Sequence, residues 1–289
     1  MRITATHLVN WSDQRVAQGM LPVLVRRLIS ATAEVNSIVI PGGDSVSEPG
    51  WDGVVGVAIG NAWVPAGPSY WELGTSADPA KKARRDFKKR ETELSAEQAA
   101  QAIFVFVTSR RWRGKAIWQA EARNQNIWAD VFVWDADDLE AWLETSASTS
   151  LWIGSQIGIS GSGIESVENY WNHWHQQSNP VLTATALSVG REQPRDELLK
   201  CFSQNEGLIA VMADSQSEAV GFTCAQLIES GDSQRAVCVT SEEGWQFVDA
   251  NQGIELVVVA NNELATHRAA REGLSLIIPL AVGDEAFKV

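Results

Sequence analysis

The spacing of apolar and polar positions divides this chain into helices and strands before any motif is considered. Residues 13–30 read as a helix, because Val16, Met20, Val23, Leu24 and Leu28 recur at intervals of three and four and share one face. Pro22 is expected to kink or restart it, having no N–H and a ring that crowds the preceding turn. Residues 34–40 form a short strand candidate. Pro41-Gly42-Gly43 and Pro49-Gly50 mark a loop. Residues 52–60 read as a strand, 61–69 as a turn, and 70–75 as the returning strand. An amphipathic helix follows over about 78–94. Ala80, Ala83, Phe87 and Leu94 form its buried stripe, and Asp78 and Pro79 suit its cap and first turn. Beyond it come a buried strand at 103–107, a helix at 112–124, a strand at 128–134 and a short helix at 137–144.

The first part thus reads α-β-β-β-α-β, followed by more α/β. Residues 146–190 read as a mixed connector. Residues 191–289 alternate again, with strands near 208–212, 236–240, 255–260 and 275–280 and helices between. Such alternation predicts a mostly parallel sheet covered by helices. The fold class expected is therefore α/β, with a first domain over 1–145 and a second α/β domain over 191–289.

Length and composition agree with that division. The chain has 289 residues, 45% of them apolar, enough for two ordinary cores. Tryptophan is concentrated in the first half: of 13, only Trp245 lies after Trp174. No apolar run approaches the roughly 20 residues that span a bilayer. The N-terminus lacks a basic start followed by an apolar signal core. A cytoplasmic protein with no membrane partner is the expectation. Cys201, Cys224 and Cys238, odd in number and widely spaced, fit reduced and mostly buried thiols.

Charge changes the picture locally. The net charge is −13, yet residues 80–115 hold 11 of the 23 Lys and Arg against four acids; residues 181–289 hold 7 basic and 16 acidic residues. A basic stripe on an acidic chain can direct a polyanion to one place. It is equally the pattern of a solvated helix face.

The candidate chemistry lies in the paired strands. Phosphodiester hydrolysis assisted by a divalent cation needs carboxylates that converge on it, and Mg²⁺ accepts two carboxylates plus a carbonyl because it keeps several waters. If the turn centres near residue 62, Asp52 and Glu72 stand opposite each other on one sheet face, with Cβ atoms about 5 Å apart. The bland alternative is an Asp serving a turn in Trp51-Asp52-Gly53 and a Glu pointing outward from a half-exposed strand. Asp44 and Glu48, in the preceding loop, are further candidate ligands. Arg110, Arg111, Arg113 and Lys115, interleaved with Trp112 and Trp118, could grip phosphates. Trp112 is a candidate for stacking on an unpaired base, against a packing role for Trp118. His173 and His175 diverge on a helix and lack a ligand partner at suitable spacing, so they read as structural or surface residues.

Pro49-Gly50-Trp51-Asp52-Gly53, then Tyr70-Trp71-Glu72-Leu73-Gly74, then a basic helix, together resemble the PD-(D/E)XK restriction-endonuclease-like superfamily over about residues 10–145. The resemblance implies an αβββαβ nuclease core and Mg²⁺ (or Mn²⁺) held by Asp52 and Glu72. It implies DNA as partner, gripped by Lys81, Arg85, Lys89, Arg110, Arg111 and Arg113. A Lys is expected two residues after the second acid, and Gly74 stands there instead. Some members of the superfamily supply this Lys from the following helix. Lys82 is the candidate here, with Lys81 and Lys89 behind it. Without such a Lys, the domain would bind nucleic acid or serve assembly without cutting.

In the second half, the strand-loop-helix from Leu208 to Ala219 sits where a P-loop NTPase carries GxxxxGK[ST], but it has neither the glycines nor the Lys that cradle phosphate. Its order is similar to STAND-type NTPase modules that follow effector nucleases in bacterial antiphage proteins. What this implies is a degenerate NTPase-like module and a DNA endonuclease effector of antiphage defence, with pairing into a homo-oligomer and a further domain or activating partner. The chain stops at Phe287-Lys288-Val289, soon after a strand, which leaves truncation of the second domain open. A small-molecule enzyme in this half would lack a phosphate loop, a nucleophile elbow and a triad pattern.

Overall fold

The computed structural model describes residues 1–43, 50–204, 206–266, 268 and 271–284. The chain divides into two compact units, Arg2–Thr145 and Ser146–Val289. Each is built on a mixed five-stranded sheet with helices, so the α/β class holds.

The first unit begins with α1 (Ala5–Trp11) and α2 (Val16–Thr32). α1 is capped at both backbone and side-chain level by Thr4 and His7, although its few apolar residues gave no periodic signal. Pro22 is buried inside α2, which neither ends nor restarts there; α2 runs through it to Thr32. The sheet follows as β1 (Val35–Val39), β2 (Gly53–Val57) and β3 (Gly67–Gly74). After β3 come α3 (Pro79–Arg90), the single turn α4 (Ala96–Ala99), β4 (Ile103–Thr108), α5 (Lys115–Arg123), β5 (Asp130–Trp134) and α6 (Ala136–Leu143). Strand order is β1-β2-β3-β4-β5. β1, β2 and β3 pair antiparallel, while β3, β4 and β5 pair parallel.

α3 starts where the cap predicts, with the Asp78 carboxylate accepting from the Lys81 N–H and Pro79 in the first turn. It ends at Arg90, four residues before Leu94. Ala83 and Phe87 form its buried stripe and pack with Phe104, Trp118 and Trp128 beneath the sheet. α2 covers the opposite face, where Leu21, Leu24, Leu28 and Trp71 are fully buried. β3, enclosed on both faces, is buried from Trp71 through Gly74. That is why Glu72 is enclosed rather than pointing outward as the bland reading of the strand has it.

The second unit contains α7 (Ala147–Gln156), β6 (Ile164–Ser166), α8 (Val167–His175), α9 (Ala184–Ser188), α10 (Glu192–Gln204), β7 (Leu208–Ala213), α11 (Gln216–Ser230), β8 (Ala236–Val239), α12 (Gly244–Ala250), β9 (Leu256–Val259) and β10 (Ser275–Ala281). The sheet order is β6-β8-β9-β10-β7. β8, β9, β10 and β7 are mutually parallel, and β6 joins β8 antiparallel. The residues read as a connector, 146–190, thus supply an edge strand and three helices of this unit. A three-residue strand is too short to show a period of two. Two apolar layers sandwich the sheet, one around Phe202, Phe222 and Trp171, the other around Trp245, Ile254 and Leu276. Cys224 and Cys238 are buried free thiols with sulfurs 3.7 Å apart. Among the described residues no helix is long and apolar enough to cross a membrane.

Candidate active site of the first unit

The β2–β3 register pairs Gly53 with Trp71 and Val54 with Tyr70. One further step along this register sets Asp52 opposite Glu72. Asp52 is fixed there by β3 itself: the Leu73 N–H donates to its Oδ2 at 2.7 Å. Its Oδ1 accepts no hydrogen bond among the described residues. Glu72 is 3% exposed and accepts from Arg90 Nε at 2.5 Å through Oε1, leaving Oε2 without a partner among the described residues.

Both carboxyls sit above their ordinary pKa. Burial pushes Asp52 up, against the pull of the Leu73 N–H and of the Lys82 ammonium. Burial, reinforced by the Asp52 charge, pushes Glu72 up to about 7, and Arg90 only partly offsets this. Desolvated carboxylates whose pKa is raised bind protons or cations more readily than exposed ones.

Gly74 and Lys82 fit together closely. A Cβ on Gly74 would lie 2.2 Å from Lys82 Cε and 2.4 Å from its Cδ. The Lys82 stem therefore fills the space that a side chain from position 74 would take. Its ammonium bonds Asp86 at 2.6 Å. Asp52, Gly74, Lys82 and Arg85, with Gln18 and Pro22 from α2, line one cavity of about 360 Å³. Helical spacing accounts for the approach: Lys82, Asp86 and Arg90 recur at intervals of four, next to the buried stripe of Ala83 and Phe87.

Asp86 and Arg90 are the residues that pattern reading passed over, Asp86 counted only among the four acids of residues 80–115 and Arg90 only among the basic side chains of the stripe. Both are buried, at 5% and 2% exposed. Arg90 spends its donors on Glu72, on Glu93 and on the Gly50 carbonyl, and it lies over the Trp51 ring at 4.6 Å. It thereby ties the segment before Asp52 to Glu72. An acid four residues from two bases on a helix with an adjoining apolar stripe was the available signal.

The surrounding cations divide into two groups. Lys81, Arg85 and Lys89 of α3 are exposed, as are Arg111 and Arg113. Arg85 also contacts Asp86 at 3.1 Å, and Arg111 contacts Asp137 at 3.0 Å. Arg110 is committed internally, to Asp13 at 2.7 Å and to the carbonyls of Thr75 and Val9, so it braces α1 and the end of β3 rather than facing a phosphate. Lys115 is likewise held by Asp135 and Asp138. Trp112 is buried against Trp118 and Phe106, so it packs and does not offer a stacking face. Lys81 and Lys89 do not line the cavity. Asp44 and Glu48 lie outside the described residues. In the second unit, His173 meets Glu165 at 3.2 Å and His175 stacks on Trp171.

Among the described residues no group of three or more His, Cys, Asp or Glu side chains is gathered to hold a metal. The pair Asp52 and Glu72 offers hard oxygen donors, one uncommitted oxygen each, and Asp52 lines the adjoining cavity. Such a set fits a cation that keeps most of its water ligands, and does not fit a closed four-ligand structural site. Comparison with known protein families, with curated proteins and with solved structures finds no match to this chain.

Proposed function

We propose that the first unit is a divalent-metal-dependent nuclease acting on DNA, with Asp52 and Glu72 as the metal-holding carboxylates and Lys82 as the assisting cation. The observation that carries this reading is the Lys82 stem lying over Gly74 in the cavity that Asp52 lines. A lysine delivered from the helix meets the need that the strand leaves unmet at position 74.

A bound Mg²⁺ or Mn²⁺ would supply an activated water and neutralise charge on the phosphate. The protein's own groups do the rest. The Leu73 N–H aims Asp52. Arg90 fixes Glu72 so that one oxygen stays available. The Lys82 ammonium, shared with Asp86, stabilises negative charge developing on the phosphoryl oxygens. Lys81, Arg85, Lys89, Arg111 and Arg113 supply backbone contacts that are independent of sequence. A role as effector of a bacterial antiphage system accompanies this proposal only through the superfamily resemblance.

The direct test is cleavage of supercoiled plasmid in Mg²⁺, Mn²⁺ or EDTA. Metal-dependent nicking or linearisation that disappears in Glu72→Ala is the expected result. Cleavage that survives both Asp52→Ala and Glu72→Ala removes the assignment.

A second reading is a DNA-binding or assembly module without catalysis. It is favoured by the two ion pairs that already occupy the site, Glu72 with Arg90 and Lys82 with Asp86. It predicts salt-sensitive DNA binding with no cleavage in any divalent metal.

A further inference from the structure

An edge strand presents a row of backbone N–H and C=O groups to any chain able to pair with them, and proteins commonly blunt such edges. Among the described residues, three of the four sheet edges are blunted. β1 has a register shift between Val35 and Ser37. β5 opens on Asp130, which is ion-paired with Arg123. β6 is three residues long and carries Glu165. The fourth edge, β7, reads Leu-Ile-Ala-Val-Met-Ala, six residues with no charge, proline or register shift.

Its hydrogen-bonding polarity follows from the pairing with β10. The Leu276 N–H donates to Gly207 and the Val282 N–H to Ala213. Ile209, Val211 and Ala213 thus face β10, while Leu208, Ala210 and Met212 direct their backbone groups away from it. Among the described residues these outward groups have no backbone partner. Met212 is 64% exposed. Along the same edge runs a groove of about 480 Å³ between β7, α10 and α11. Leu198, Ile209 and Phe222 form apolar wall, and Glu197, Asp214 and Glu218 stand at its lining. Among the described lining residues the one guanidinium, Arg191, is committed to Glu218 at 2.5 Å.

We propose that β7 and this groove accept an extended peptide of a partner protein, which adds as a further strand and carries basic side chains toward Glu197 and Asp214. Backbone pairing supplies affinity in such an arrangement, and the flanking groove supplies selection. Charge selects the occupant. Residues 181–289 hold 7 basic and 16 acidic residues, so a second copy of this unit would meet like charge, whereas a basic strand meets its complement. The proposal is independent of the nuclease reading of the first unit.

The test uses the full chain and fluorescence anisotropy with three labelled ten-residue peptides: alternating Val and Lys, alternating Val and Glu, and the Val/Lys peptide N-methylated at every second amide. The Val/Lys peptide is expected to bind at least about tenfold more tightly than the other two. Ala210→Pro removes one outward N–H and leaves the β10 ladder intact, so binding should weaken with melting unchanged. Glu197→Lys should reverse the preference between the Lys and Glu peptides. Equal affinity for the methylated and unmethylated peptides overturns the proposal independently of any protein variant. So does failure of all three to bind. Self-association that Ala210→Pro abolishes and the Val/Lys peptide does not compete would place a second copy on the edge instead, and would also overturn it.

Discussion

At the end of β3, burial raises the pKa of both Asp52 and Glu72, and the Asp52 charge adds to the rise at Glu72, with Arg90 unable to cancel the effect. At the carboxyl end of β7 the polar groups are in balance. Gln216 donates to Asp284 at 2.8 Å and accepts from the Asn262 N–H at 3.0 Å, while Asp284 also caps the Ala281 N–H. Both places lie at strand ends of α/β sheets, where ligands commonly bind. The first holds an excess of negative charge that a cation would relieve. The second closes on itself and presents a carboxylate where a phosphate loop would present N–H groups. The difference teaches that a strand end becomes a candidate site through unbalanced electrostatics, not through topology alone.

The largest effect expected from disturbing this contrast is at Arg90. Arg90→Met strands the buried Glu72 carboxylate and frees Glu93, and removing one partner of a buried pair costs about 3–5 kcal/mol. A melting curve of the first unit's transition measures it; a loss under about 1 kcal/mol would mean that Glu72 is not held as described.

The next effect is one of pH. The folded pKa of Glu72 is raised from 4.5 to about 7. Between these values the folded state keeps a proton that the unfolded chain has released, so Glu72 makes stability fall as pH rises through that window. Glu72→Gln should flatten this slope. Mg²⁺ at pH 8 should raise the melting temperature of the wild type and not of Glu72→Gln. Metal-dependent cleavage should likewise grow as pH rises through about 7.

A smaller effect concerns the exchange between strand and helix. Lys82→Ala should lower cleavage about 100-fold. Gly74→Ala should lower it as well, since the new Cβ displaces the Lys82 stem. Gly74→Lys combined with Lys82→Ala should recover at least about tenfold of the loss. Single-turnover rates decide this, and failure of the double variant to recover would leave Lys82 with a packing role only.

The smallest effect belongs to the balanced end of the second unit. Gln216→Ala removes ordinary, partly buried hydrogen bonds and should cost about 1 kcal/mol or less. ATP or GTP added to the protein in Mg²⁺ should leave the melting temperature where Mg²⁺ alone puts it. A nucleotide-dependent shift would show that the Gln216–Asn262–Asp284 cluster opens, and would erase the contrast between the two units.

Much of the fold was legible because periodicity and capping are local. β7, β8, β9 and β10 lie within two residues of their expected limits, and α3 begins at its expected cap. α1 was missed because a seven-residue helix offers too few turns for a period. β6 was missed because its pairing with β8 is made across more than 70 residues of chain. The facing of Asp52 and Glu72 was accessible through the symmetry of a hairpin about residue 62, given the correct turn centre. The internal commitments of Arg110, Lys115 and Trp112 were not accessible, because an exposed and a braced Arg look alike in sequence.

By itself, then, the sequence determined most of the sheet strands and the helices long enough to show a period, where basic charge concentrates, and that Gly74 leaves no side chain on its strand. These follow from spacing and from side-chain chemistry. Only the tertiary structure decided that Lys82 lies over Gly74, that Arg90 rather than solvent meets Glu72, and that β7 is an open edge among the described residues. Each of these depends on which surfaces are brought together and thereby lose water, and desolvation is a property of the packed molecule that no local stretch of sequence carries.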